Sequence, residues 1–120
     1  KLATIEKRYP GASIYDVIQN LINNSVKYSG VELEKLTINI DVLQDEDNTI
    51  IKIADNGAGV PEGKRDTIFN LYDRAGIDDG KGKGLGLYMA RKMIDDHDGT
   101  IEYDDEFEDG ARFVIKLPPV

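Results

Sequence analysis

Residues 37–59 read TINIDVLQDEDNTIIKIADNGAG, two runs rich in β-branched residues on either side of the polar quartet Asp45-Glu46-Asp47-Asn48. β-Branched side chains fit the pleated, half-buried surface of a sheet, so 37–43 and 49–54 are predicted as strands and the quartet as the turn of a hairpin. The second run ends in Asp55-Asn56-Gly57-Ala58-Gly59, a cluster of turn formers that stops it. Upstream, Tyr9-Pro10-Gly11 marks a turn and Ser13 offers an N-cap. Ile14, Val17, Ile18, Leu21, Ile22 and Val26 then recur at the i, i+3, i+4, i+7 spacing of one buried helical face, which predicts a helix over 14–28. Downstream, Pro61 suits the start of a second, shorter helix with Ile68, Phe69, Leu71 and Tyr72 as its apolar patch. Residues 75–84 hold four glycines and no sustained apolar pattern, as a mobile surface loop does. A third helix resumes near Leu85 and runs through Ala90, Met93 and Ile94 to a stop at His97-Asp98-Gly99, and 100–103 and 111–117 read as a closing strand pair. Hairpins in place of regular βαβ units favour an α/β (α+β) two-layer sandwich: one mixed, mostly antiparallel sheet with about three helices on one face.

A chain of 120 residues suits one compact domain over 1–120, with 1–12 an N-terminal extension or a first strand. Hydrophobic residues make up 40% and charged residues 32%, the balance of a soluble globular protein. No apolar run is long enough to span a bilayer. The absence of cysteine excludes disulfides and thiolate metal sites. A net charge of -8 argues against nucleic acid as a partner, because such partners select a broad basic face. A polyphosphate could still bind locally if the fold gathers Lys27, Arg74, Lys81, Lys83 and Arg91 into a small positive pocket.

Three features carry chemistry. Asn20, Asn24 and Lys27 are spaced by four and three on the first helix, so they share one stripe roughly opposite its apolar face. Asparagine is a poor helix former, but its amide oxygen suits a hard cation. The second feature is Asp55 with its glycine-rich turn, which alone reads as a strand end. The third is Gly80-Lys81-Gly82-Lys83-Gly84-Leu85-Gly86-Leu87, running straight into a helix. Glycine lets backbone approach a ligand, and free N–H groups at a helix start attract phosphate.

In this order the three features resemble the GHKL ATPase superfamily and, within it, the sensor histidine kinases. Asn20-Leu21-Ile22-Asn23-Asn24-Ser25-Val26-Lys27-Tyr28-Ser29 is similar to their N box, and Asp55-Asn56-Gly57-Ala58-Gly59-Val60-Pro61 to their G1 box. Ile68-Phe69-Asn70-Leu71-Tyr72-Asp73-Arg74 is similar to the F box and Gly82-Lys83-Gly84-Leu85-Gly86-Leu87 to the G2 box. The tail from His97 to Pro118 follows the family's closing hairpin. The resemblance implies a Bergerat-type fold, ATP and Mg²⁺ as ligands, and transfer of the γ-phosphate to a histidine on a separate dimerisation and phosphoacceptor domain.

Position by position, the resemblance implies that Asn24 ligates the metal with Asn20 one turn earlier in the same site. Lys27 and Tyr28 face the triphosphate and ribose. Asp55 accepts a hydrogen bond from the adenine amine, where guanine would offer a second acceptor, and an unpaired buried group of that kind costs about 1–3 kcal/mol. Gly57, Gly59 and Val60 line the base; Gly82, Lys83, Gly84, Leu85, Gly86 and Leu87 lie along the phosphates, with 75–83 as the ATP lid. Arg74 contacts the γ-phosphate, so Asn20, Lys27 and Arg74 form the catalytic set. Hydrolysing branches of the superfamily carry a glutamate base where this chain has Asn20, and an amide cannot take a proton from water.

Some positions depart from the family. Ser25 replaces the usual alanine, Lys83 a small residue, and Asp98 the first glycine of a His-Gly-Gly turn. His97 is the only histidine; although Asp98 follows it, it is expected to be structural at a helix end and not a phosphoacceptor. The implied partners are therefore that acceptor domain of the same full-length protein, in a homodimer, and downstream a response-regulator receiver domain, while the isolated domain is expected to be a monomer. The expected compartment is the cytoplasm, with membrane anchoring of the full-length protein left open. Two other functions stay in view: a nucleotide-binding module without transfer, and an anti-sigma-type serine kinase of the same fold.

Overall fold

The computed structural model describes residues 14–44, 46–65, 67–70 and 86–118. Helix α1 spans Ile14–Tyr28, β1 Ile38–Gln44 and β2 Thr49–Asp55; a 3-10 turn at Glu62–Lys64 precedes helix α2, Gly86–Asp95, and the strands β3, Thr100–Tyr103, and β4, Arg112–Leu117. The sheet order is β1-β2-β4-β3, every neighbour antiparallel. The four strands fall within one residue of the sequence reading, and helices packed on one face of the sheet make the expected two-layer sandwich.

The core forms where the strand alternation meets the helical stripe. Thr49, Ile51, Ile53 and Asp55 are the buried positions of β2, and Phe113, Ile115 and Leu117 those of β4. Against them α1 lays Ile14, Val17, Ile18 and Leu21, and α2 lays Ala90 and Ile94. Phe113 is met edge-on by Phe69 at 6.0 Å and by Tyr103 at 5.4 Å, the favoured approach for ring quadrupoles. Phe69 is thus a core anchor, as its position among apolar residues suggests; Tyr72 lies outside the described residues.

Three sequence expectations need correction. Val26 is 46% exposed, and the buried place on α1 goes to Ser25. At roughly 100° per residue, position 25 returns to within about 20° of Ile14 whereas 26 stands about 120° away, so hydropathy misassigned the last turn. The second helix is only the 3-10 turn at Glu62–Lys64, so two α-helices, not three, appear among the described residues. Its successive bonds Lys64 N to Pro61 O, Thr67 N to Lys64 O and Asn70 N to Thr67 O all span three residues. Gly63 weakens any longer helix and no side chain caps this one. Third, the sheet is wholly antiparallel rather than mixed among the described residues. The expectations for 1–13, Leu71 to Leu85 and their loop lie outside the described residues.

Helix ends follow local chemistry. Gly30, at φ 76, terminates α1 in the left-handed region that glycine adopts without cost. After α2, Asp98 takes φ 60, so the turn keeps a left-handed residue although glycine is absent, as aspartate tolerates. The Gly99 N–H then returns to Ile94 O at 3.0 Å.

The β3–β4 connection is held by Arg112, whose Nε donates to Asp104 Oδ2 at 2.8 Å while its guanidinium lies 4.6 Å over the Phe107 ring. The bond from Arg112 holds the Asp104 carboxyl below its ordinary value of 3.8. A carboxyl with a depressed folded pKa contributes stability that is complete above the unfolded value and lost as pH falls through the folded one. Acid titration from about pH 5 to about pH 2.5 should therefore lower the melting temperature less steeply in Asp104→Asn than in the parent, with a difference of about 1 kcal/mol for a single part-buried pair at the surface.

Candidate nucleotide-binding site

The period-2 alternation of β2 carries Asp55 to the core-facing side at the very end of the strand, leaving its carboxylate 6% exposed beneath α1. Four contacts hold it. Oδ1 accepts from Gly57 N at 2.8 Å, closing an Asx turn, and from Ala111 N at 3.1 Å. Oδ2 accepts from the Ser25 hydroxyl at 2.7 Å, and the Asp55 backbone N–H donates to Ala111 O at 2.8 Å. The carboxylate is thus fixed from the helix, the loop and the neighbouring strand at once.

A second link lies one turn along α1. Ala58 N donates to Ser29 O at 2.9 Å, and a Cβ on Gly57 would stand 2.5 Å from the Ser29 Cβ. Gly59 has φ 77, and a side chain there would meet Gly110 O at 2.9 Å and the Tyr103 hydroxyl at 3.1 Å. Both glycines are therefore required by packing inside the protein, whatever they also permit a ligand. Val60 has both backbone polar groups engaged: its N–H donates to the Tyr103 hydroxyl at 3.0 Å and its carbonyl accepts from Arg65 Nε at 2.9 Å. Asn56 turns away from Asp55 to bridge Thr37 N, at 2.9 Å, and Lys35 O, at 3.0 Å, as an extra rung beside β1.

On α1, Asn24 flanks Ser25 and is half-buried, as is Asn20. Asn24 Nδ2 donates to Asn20 O at 3.0 Å, so the amide orientation is settled by a backbone acceptor and its oxygen is turned the other way. An amide oxygen held like this suits Mg²⁺. Among the described residues no cluster of three or more His, Cys, Asp or Glu could hold a metal by itself. Lys27 is exposed and Tyr28 half-buried in the last turn, and Leu87 is partly buried against the core just inside α2, after Gly86.

The structure therefore brings the N-box helix and the G1 loop together at two points, Ser25 on Asp55 and Ser29 on Ala58. Arg74, Gly82, Lys83, Gly84 and Leu85 lie outside the described residues, as does Lys81. Arg91, the remaining candidate for a shared basic pocket, instead stacks 5.0 Å over Phe69 and lines a groove with Tyr88, Lys92 and Asp95 that includes no residue of α1 or the G1 loop. Sequence reading missed Ser25, Tyr103 and Gly110; a strict angular count along α1 would have exposed the first.

With that geometry in place, the comparisons are unambiguous. Residues 11–120 match the family described as histidine kinase-, DNA gyrase B- and HSP90-like ATPases. The chain belongs to this family. Within it the domain sits on the sensor histidine kinase branch: it is 38% identical over 108 residues to the sensor protein RprX of Bacteroides fragilis, covering 88% of this chain and 21% of that protein. It is 39% identical over 103 residues to the sensor protein KdpD of Escherichia coli, covering 85% and 11% respectively. The crystal structure of the ATP-binding domain of PrrB from Mycobacterium tuberculosis superposes with a TM-score of 0.66 at 30% identity, covering 87% of this chain and 65% of that one. The chain spans about a fifth or less of the curated relatives named here, which are longer proteins with further domains. No described helix of this histidine kinase-type ATPase domain is long and apolar enough to cross a membrane.

Proposed function

We propose that this domain binds Mg·ATP with the adenine amine on Asp55 and the metal on the Asn24 oxygen, and passes the γ-phosphate to a histidine on a separate dimerisation and phosphoacceptor domain. The observation that carries the reading is the Ser25–Asp55 bond, which fixes the amide-bearing helix beside the carboxylate. Asn20, Asn24, Lys27 and Tyr28 then serve the phosphate and ribose end; Gly57, Gly59 and Val60 shape the purine wall. Arg74 and the segment Gly82 to Leu87, through Lys83, Gly84, Leu85 and Gly86, complete the phosphate cradle.

Phosphoryl transfer depends on positioning and charge neutralisation more than on covalent help from protein. The Mg²⁺ ion, when bound, supplies much of that neutralisation. Lys27 and Arg74 add fixed positive charge, and Asp55 sets the register of the nucleotide. Asn20 lacks the basicity to activate water, so the γ-phosphate persists until a histidine arrives. The full-length protein is then a homodimeric two-component kinase working in the cytoplasm and feeding a receiver domain.

The test mixes the domain with a dimerisation and phosphoacceptor helix pair and labelled ATP. Acid-labile label on histidine is the expected result. Acid-stable label on serine would select the anti-sigma type of kinase, and nucleotide binding with no transfer would make the domain a binding module. In the same assay Asn24→Ala should lose the magnesium-dependent share of ATP affinity, roughly tenfold or more, while magnesium-free ADP binding stays put. Parent affinity that ignores magnesium would remove Asn24 from the metal.

A further inference from the structure

We infer that Ser25 is a positioning residue that sets purine selectivity at Asp55, an inference that rests on the nucleotide reading and deepens it. An ionised carboxylate has about four lone-pair directions. Asp55 Oδ1 uses two, on Gly57 N at 2.8 Å and Ala111 N at 3.1 Å, and Oδ2 uses one, on Ser25 Oγ at 2.7 Å. One direction is left, on Oδ2, for one further donor. A purine amine fits it; a purine carbonyl meets an acceptor.

Ser25 sharpens that choice in two ways. Its hydroxyl stops the carboxylate from pivoting about the two backbone bonds on Oδ1. Its hydrogen is also committed: to donate to a 6-carbonyl, the hydroxyl would have to leave Asp55, and a buried hydrogen bond to a charged group is not lost cheaply. Ser25 is 7% exposed, so solvent offers little replacement. Where alanine stands at this position, as the family usually has it, the carboxylate keeps two open directions and a looser pose. The sequence departure at 25 thus coincides with a bond, 30 residues apart in the chain, to the group that reads the base.

The experiment titrates ADP and inosine diphosphate, which differ at the purine 6-position, without magnesium, against the parent chain, Ser25→Ala and Ser25→Thr, with a thermal melt of each. Alanine is a good helix former, so Ser25→Ala keeps α1. The expected result is a preference for ADP over inosine diphosphate that falls about tenfold in Ser25→Ala, through weaker ADP binding alone, and is kept in Ser25→Thr. An unchanged ratio in Ser25→Ala with ADP binding intact in the parent, or an equal loss of the ratio in Ser25→Thr, overturns the inference and leaves the nucleotide reading standing. A parent chain that binds neither nucleotide overturns both. A purely structural strut would lower the melting temperature and both affinities together without moving their ratio.

Discussion

Asp55→Asn should fold like the parent chain and raise the Kd for ADP about a hundredfold or more, while inosine diphosphate binds as well as before or better. The asparagine oxygen takes the place of Oδ1 and continues to accept from Gly57 N and Ala111 N, because the opposite orientation would set its NH₂ against two backbone donors. The NH₂ then faces Ser25, whose hydroxyl can rotate to accept, and the purine, whose amine cannot. Donor meets donor for adenine, and donor meets acceptor for a 6-carbonyl. Asp55→Ala is a poorer test, since it strips two buried N–H groups and a hydroxyl of their acceptor at about 1–3 kcal/mol each and endangers the fold. Calorimetric titration of both nucleotides reads the result; an ADP affinity equal to the parent's would end the adenine assignment.

Gly110→Ala should lower stability by about 3 kcal/mol or more, a drop of roughly 10 °C in melting temperature, and remove nucleotide binding with it. A Cβ at this position would lie 2.0 Å from the Asp55 carbonyl oxygen and 3.0 Å from Gly57 N, at a φ of 155. The obstacle is backbone. It cannot step aside, because Asp55 is tied to Ala111 by both its N–H and its side chain. Relief would have to come from separating β4 from the G1 loop. Gly63→Ala is the control: a Cβ there meets nothing within 4 Å, and no loss is expected. Thermal denaturation followed by circular dichroism checks the pair, and a Gly110→Ala melt within about 2 °C of the parent would contradict the close packing described for this junction.

These two positions show where sequence is sufficient and where it is not. Asp55 was legible as a functional candidate because it ends a strand and opens a glycine-rich turn inside a motif. Gly110 was legible only as part of a similar tail, since its constraint comes from a strand more than fifty residues earlier. The apolar patch around Ile68 and Phe69 misled for the opposite reason. Two adjacent buried residues signal an anchor to the core, but not the backbone that delivers them, and here a run of four-residue turns does so where a helix was expected.

By itself the sequence determined the strands, the long first helix and the family, because periodicity and motif spacing are local properties of a chain. The tertiary structure alone decided that Ser25 holds Asp55, that Asn56 braces β1 and that Tyr103 and Arg65 pin Val60. Each of those outcomes is a hydrogen bond or packing choice between side chains and the elements they meet in the fold. Directional contacts of that kind depend on distances of a few ångströms that no spacing along the chain encodes.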